Sequence, residues 1–356
     1  MQTFLLRGRY KNTGKASEIK TTISPSRLKC SFEKRNIELF FSLVDYRNGL
    51  FMSNNPNDIM KFYDTFDTRR ELIEWMRERP KGAAHIHEVE GHKDVIVVIP
   101  TSDFNGKFAT KCRENIFNGL HIIFVESGGK GDFYFNIAHN LNVGIKRALE
   151  YDPRWIVVTN DDVIKKDETT VLVNELSRID HKITRVVFIT PSRYHSQHVF
   201  FGRQNKLREL IFKLTAERRF QLIVERKFEV KLFSSMICGY GLIFFRHDFS
   251  HISIGNFGIF SPIFLREKNG ALFDETYING GEDVDLSLEV AFCGCDVRFI
   301  RYEIGDIVGG TLGRSKIRKL RDVAGYTYLN NKIKNGNHQA SAQIIEVISD
   351  WKCIEP

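Results

Sequence analysis

Three apolar runs constrain this chain more than any other feature: DVIVVIP from Asp94, LHIIFVES from Leu120 and RWIVVTNDDV from Arg154. Each is nearly continuous rather than alternating, so each reads as a strand covered on both faces. A largely parallel sheet with helices on its faces supplies that cover. Pro100 breaks the first run, and the second ends at Glu126 before the loop GGKG. Between the second and third runs, DFYFNIAHNLNVGIKRALE carries Ile137, Leu141, Ile145 and Leu149 at i, i+4 steps. That spacing predicts an amphipathic helix, with Asp132 as a candidate cap. Later strands are expected at 186–190, in ICGYGLIFF and in DVRFI, with a helical basic insert at 203–231 and a loop-rich stretch at 250–269.

Residues 1–90 read as a small α+β region. Strand-like stretches occur around Phe4, at 38–44 and at Leu50, and one long helix is expected over 57–79, ended by Pro80. The segment PKGAAHIHEVEGHK, short, polar and rich in Gly and His, reads as a linker. His85 and His87 lack a third ligand nearby and are expected to be solvated linker residues. The α/β domain is expected over 91–330, with a C-terminal tail at 331–356.

The longest apolar runs fall far short of the roughly 20 residues that a membrane helix needs, and MQTFLLRGRYKNTGKAS lacks the apolar core of a signal peptide. A soluble, cytoplasmic protein is the expectation, with peripheral association at a membrane surface as an option. Cysteines at 30, 112, 238, 293, 295 and 353 form no C-x-x-C pair, which predicts free thiols rather than a zinc site or a disulfide framework. The net charge of +8 is concentrated in two places. Residues 203–231 hold nine Lys/Arg against four Glu, and 314–334 hold seven against one Asp. Both regions are expected to attract anions.

Open α/β sheets bind ligands at the carboxyl ends of their strands. No G-x-G-x-x-G follows the first strand and no P-loop motif occurs, so neither phosphate cradle is offered. What the strand ends do carry is oxygen: Asn160, Asp161 and Asp162 form a hard set suited to Mg²⁺ or Mn²⁺, although the same residues also make ordinary turns. A second acidic group, Glu282, Asp283 and Asp285, opens an apolar helical stretch. Acids complement the start of a helix, but three in four positions repel one another and call for a compensating cation or a task.

At these residues the chain, over about 94–329, resembles the GT-A nucleotide-sugar glycosyltransferases, most closely the inverting family 2 type. VIVVIPT resembles the family's opening strand, IIFVESGG its second strand, and NVGIKRALE with WIVVTNDDV the stretch ending in its metal-binding motif. FDETYINGGEDVDLSLEVAFCG resembles the segment that bears its catalytic base. The resemblance implies a mixed, mostly parallel GT-A sheet flanked by helices, and transfer of a sugar from a nucleoside-diphosphate sugar to an acceptor hydroxyl with inversion. It implies Asp283 as general base, Glu282 as its neighbour and alternative, and Asp285 at the helix start, the mutual repulsion raising the pKa of Asp283. Asp162 and Asn160 would hold the Mg²⁺ or Mn²⁺. Glu126 would lie near the nucleotide base, with Pro100, Thr101, Asp103, Asp161 and Gly239 lining the donor pocket.

Where the family often carries a His, GDIVGG places Asp306 as a further metal ligand or a turn residue, and Arg314 and Lys316 follow in a basic loop that closes over the diphosphate or stays solvated. The implied acceptor is a glycan, a lipid-linked or a protein hydroxyl. Two rivals are a nucleotidyltransferase, which wants a more Gly-rich and basic first loop than TSDFNGKF, and a protein binding nucleic acid through 203–231 and the basic C-terminal region, or a membrane surface through 203–231. No specific nucleic acid is expected as a partner.

Overall fold

The computed structural model describes residues 4–9, 16–21, 37–127, 133–189, 223–224, 227–228, 257–292, 294–306 and 317–336. The chain divides into two compact units, Met1–Arg79 and Pro80–Pro356.

In the first unit, β1 (Phe4–Arg9) and β2 (Ala16–Thr21) pair antiparallel with Phe4 opposite Thr21. Three helices follow: α1 (Ile37–Met52), α2 (Pro56–Asp64) and α3 (Arg69–Glu78). The strands expected at 38–44 and Leu50 are therefore one helix. Val44, Asn48 and Phe51 share its buried face at i, i+4, i+7 spacing, and the polar member disguises the period. Asn48 accepts from Arg79 Nε at 2.6 Å, and Arg47 donates to the Thr65 carbonyl at 2.9 Å. The helix expected over 57–79 is two helices. Thr68 Oγ1 accepts from Glu71 N at 3.2 Å while the Glu71 carboxylate accepts from Asp67 N at 3.1 Å, a reciprocal cap that starts a new helix. Phe51, Phe62, Phe66 and Trp75 form the aromatic core of this unit.

The second unit runs β3 (His85–Val89), β4 (His92–Thr101), α4 (Lys107–Lys111), a π-helical turn (Cys112–Ile116), β5 (Leu120–Glu126), α5 (Ile137–Leu149), β6 (Trp155–Thr159), β7 (Val163–Lys165), α6 (Thr169–Ser177) and β8 (Val186–Ile189). It continues with β9 (Phe257–Phe260), α7 (Pro262–Glu267), α8 (Glu282–Phe292), β10 (Val297–Ile300), β11 (Ile304–Asp306) and α9 (Ile317–Lys334). Its seven-stranded sheet has the order β10-β8-β9-β6-β4-β5-β3. Five of the seven strands run one way, and β3 and β9 run against them. The sheet is thus a mixed, mostly parallel, helix-flanked α/β arrangement, and β4, β5 and β6 are its parallel strands on the three apolar runs.

One face of the sheet packs Val97, Ile99, Ile122, Phe124 and Val157 with Cys112, Ile116, Leu172 and Leu176 in a single core cluster. On the other face α5 lies so close that a Cβ at Gly144 would sit 2.4 Å from Val98 Cγ1 and 2.9 Å from Val125 Cγ2.

Three expectations change here. The linker reading of 80–93 gives way to β3, whose alternating HIHEV pairs antiparallel with β5 from His85 opposite Glu126 to Val89 opposite Ile122. The loop-rich stretch at 250–269 contains β9, a four-residue strand pairing with both β6 and β8. Cys295 is disulfide-bonded, whereas Cys112 is a free, buried thiol, so the free-thiol expectation fails at position 295. Helix α9 continues past 330 to Lys334. Among the described residues no helix is long and apolar enough to cross a membrane.

Candidate functional site

Strands β4, β5 and β6 end side by side, and their last residues carry the polar groups of the site. Thr101 closes β4, buried, and its Oγ1 donates to Asp161 Oδ2 at 2.8 Å. The Asp161 carbonyl accepts from Cys112 Sγ at 3.3 Å. Burial, with the negative charge of Asp161 second, pushes the Cys112 thiol up, which keeps it protonated as the donor in that contact. The Asp161 carboxylate therefore ties β6 to β4. Asp103 turns the chain after β4, its Oδ1 accepting from Asn105 N at 2.9 Å. Pro100, one residue earlier, is buried within β4.

Glu126 closes β5. Its carboxylate accepts from His87 Nε2 at 2.8 Å and from Phe104 N at 3.2 Å, and the His87 ring stacks on Phe104 with centroids 4.4 Å apart and planes 6° from parallel. A carboxylate, an imidazole and a flat ring thus meet at one strand end. The sequence pointed to Glu126 alone. His87 was legible only through the two-residue alternation of HIHEV, which marks a strand and turns His85 and His87 to the same face.

Asp162 is buried at 8% exposure and Asn160 is half-buried. Immediately after Asp162, β7 pairs antiparallel with β11, and the register sets Asp306 opposite Val163. The ladder thereby brings the backbone of Asp306 next to Asp162, two residues separated by well over a hundred positions in the chain. Gly239, Arg314 and Lys316, and nearly all of the basic insert 203–231, lie outside the described residues.

The second acidic group reaches the same edge by a different route. Asn279 Oδ1 accepts from Ile137 N at 2.9 Å, and Asn136 Oδ1 accepts from His139 N at 3.0 Å, so two asparagine side chains cap the start of α5. Because α5 follows the end of β5, the loop holding Asn279 lies at the carboxyl edge of the sheet, and α8 starts three residues later. That loop is tight: Asn279 and Gly281 have φ of 53° and 97°. A Cβ on Gly325 of α9 would fall 1.9 Å from the Gly280 carbonyl oxygen, so loop and helix touch backbone to backbone.

The first turn of α8 splits its acids among different tasks. Asp283 is half-buried, and its Oδ1 accepts from Val284 N at 2.9 Å. Asp285 is buried and accepts from Lys332 Nζ at 2.7 Å, while Lys332 also reaches Asp274 Oδ2 at 3.1 Å. The negative charge of Asp285 is met by a lysine from α9. Of the basic residues in 314–334, Lys332 is thus spent inside the fold. Glu282, Asp285 and Glu289 line one face of α8 beside Asp274, Glu275 and Lys332 in a cavity of about 400 Å³, and Asp283 is not among its lining residues.

Burial alone would raise the Asp274 carboxyl, but Lys332, the Thr276 N–H and the Tyr328 hydroxyl outweigh it and hold it below its ordinary 3.8. Burial would lower the Lys332 ammonium, but Asp285 and Asp274 outweigh it and hold it above its ordinary 10.5. The depressed carboxyl gives stability that is present above its unfolded value and lost as the pH falls through the folded one. The raised ammonium gives stability that is full below 10.5 and lost as the pH rises through its folded value. Urea unfolding should therefore show a plateau bounded by an acid limb below 3.8 and an alkaline limb above 10.5, and Lys332→Met should flatten both.

Among the described residues, Glu88, Glu90 and His121 form a group able to hold a metal ion, one ligand atom from each lying within 4.8 Å of the others. They sit at the opposite end of β5 from Glu126. No family model and no curated protein matches the chain.

Proposed function

We propose that the second unit is an inverting glycosyltransferase, moving a sugar from a nucleoside-diphosphate sugar to an acceptor hydroxyl. The observation that carries this reading is the convergence of Thr101, Glu126 and Asp162 at one edge of the sheet with the start of α8 and its Asp283. The resemblance of the same segments to the GT-A family supports it from the side of sequence.

Each residue receives a role from its surroundings. Phe104, His87 and Glu126 offer a stacking surface and hydrogen-bonding groups of the kind that bind a nucleobase. The Thr101–Asp161 hydrogen bond fixes the strand ends that flank the diphosphate. Asp162, Asn160 and Asp306 are hard oxygen donors and fit Mg²⁺ or Mn²⁺ in their chemistry. When bound, such an ion stabilises the negative charge of a departing nucleoside diphosphate. Asp283 accepts the proton of the acceptor hydroxyl as its oxygen bonds to the anomeric carbon and the bond to the diphosphate breaks. A single displacement of this kind inverts the anomeric centre, as in inverting glycoside hydrolysis.

The test is a screen of UDP-, GDP- and dTDP-sugars for release of nucleoside diphosphate with and without Mn²⁺. Release from at least one donor, dependent on the metal and yielding the inverted anomer, is expected. No release from any donor, or retention of configuration, would count against the proposal.

A further inference from the structure

At the far end of β5, opposite the proposed donor site, His121 is fully buried at the first turn of the strand. Its Nε2 lies 3.0 Å from Glu88 Oε2. Glu88 also accepts from Arg147 Nε on Oε1 at 2.7 Å and from Tyr151 OH on Oε2 at 2.5 Å. An anionic Glu88 held this way fixes the proton of His121 on Nε2, which turns the lone pair of Nδ1 outward toward Glu90. Among the described residues that buried Nδ1 has no hydrogen-bond partner.

The nearest candidate is Glu90 Oε2, 3.6 Å away. That separation is too long for a hydrogen bond. Two ligands of one tetrahedral ion, each about 2.1 Å from it, lie about 3.4 Å apart. The turn that carries Glu90 is seated firmly, because a Cβ on Gly91 would meet the Leu120 carbonyl carbon at 2.3 Å and His121 N at 2.7 Å. Glu90 itself is open to solvent, so an ion has a way in. A competing cation is present: Lys93 Nζ lies 3.3 Å from the same Oε2 and 4.2 Å from the Tyr151 ring centre.

We infer that His121 Nδ1 and the Glu90 carboxylate are ligands of a second divalent-metal site of zinc-like preference, with Glu88 as the positioning residue that orients the imidazole. One imidazole nitrogen and one carboxylate select Zn²⁺ or Co²⁺ over Mg²⁺, and a carboxylate behind the ring is a recurrent support for a metal-bound histidine. A bound ion clips the β3–β4 turn to the start of β5. This inference does not depend on the proposed activity.

The experiment is titration of the full chain with Co²⁺, followed by its visible absorption, and with Zn²⁺ by equilibrium dialysis. Glu90→Gln, at an exposed position that leaves the core intact, should weaken binding at this site by at least about tenfold. Glu88→Gln should weaken it by about 10- to 100-fold through loss of orientation, with folding of each variant checked by circular dichroism. Lys93→Met should tighten binding by removing the competing ammonium, and Asp162→Ala should leave it unchanged. Binding by wild type and Glu90→Gln with equal affinity, or no Co²⁺ absorption from the wild type at about 1 mM metal, would overturn the assignment.

Discussion

Replacing Asp283 by Asn is expected to lower turnover of the nucleotide sugar by about 10²- to 10⁴-fold, the usual contribution of a positioned general base, with little change in KM for the donor. The substitution keeps the shape of the side chain and its acceptor oxygen for Val284 N, so a loss reports lost basicity rather than a broken helix start. Glu282→Gln is the informative partner. Glu282 faces the cavity that contains Asp285 and Glu289, and Asp283 does not, so Glu282→Gln should cost less than about tenfold if Asp283 is the base. Steady-state assay of nucleoside diphosphate release across pH decides between them. The reverse ranking would transfer the proton acceptor to Glu282 and to the acid-lined cavity.

The second large effect is expected at Gly325, in the middle of α9. On helix propensity alone Gly325→Ala should stabilise by up to about 1 kcal/mol. The added Cβ would lie 1.9 Å from the Gly280 carbonyl oxygen, a backbone atom that cannot rotate away. Overpacking therefore outweighs propensity, and destabilisation of about 3 kcal/mol is expected, near the upper end of such substitutions. Because the displaced loop leads directly into Glu282 and Asp283, activity should fall together with stability. Urea unfolding gives the sign: a rise in midpoint would show that loop and helix do not touch as described.

Lys332→Met belongs with this region. It removes one member of a part-buried cluster in which Asp285 and Asp274 share one ammonium, and leaving their carboxylates without that partner is expected to destabilise by about 1–3 kcal/mol.

The buried parallel strands were legible because double-sided burial leaves a continuous apolar run, and β4, β5 and β6 fall on the three runs in the sequence. Helix α5 was legible from its four-residue steps. Elements whose buried faces include polar groups were not: α1 buries Arg47 and Asn48, so its period does not appear in hydrophobicity. The edge strand β3 is mostly exposed or half-buried, and its polar HIHEV looked like a linker. In the site, the residue types at the strand ends were readable, since Asp and Asn next to an apolar run are conspicuous. Their pairings were not, because Thr101 with Asp161, His87 with Glu126, and Asp285 with Lys332 join residues far apart in sequence. The three acids that begin α8 illustrate the difference. Their spacing signalled surplus charge, and only the packing of α9 shows that Lys332 answers one of them.

The most direct measurement is calorimetric binding of UDP and GDP to the full chain with and without Mn²⁺, comparing wild type with Asp162→Ala. The account predicts that at least one nucleoside diphosphate binds, that binding weakens by at least about tenfold when the metal is withdrawn, and that Asp162→Ala abolishes the metal dependence. Failure of both nucleotides to bind, or binding by Asp162→Ala that is indistinguishable from wild type with Mn²⁺ present, would contradict a donor site at the ends of β4, β5 and β6.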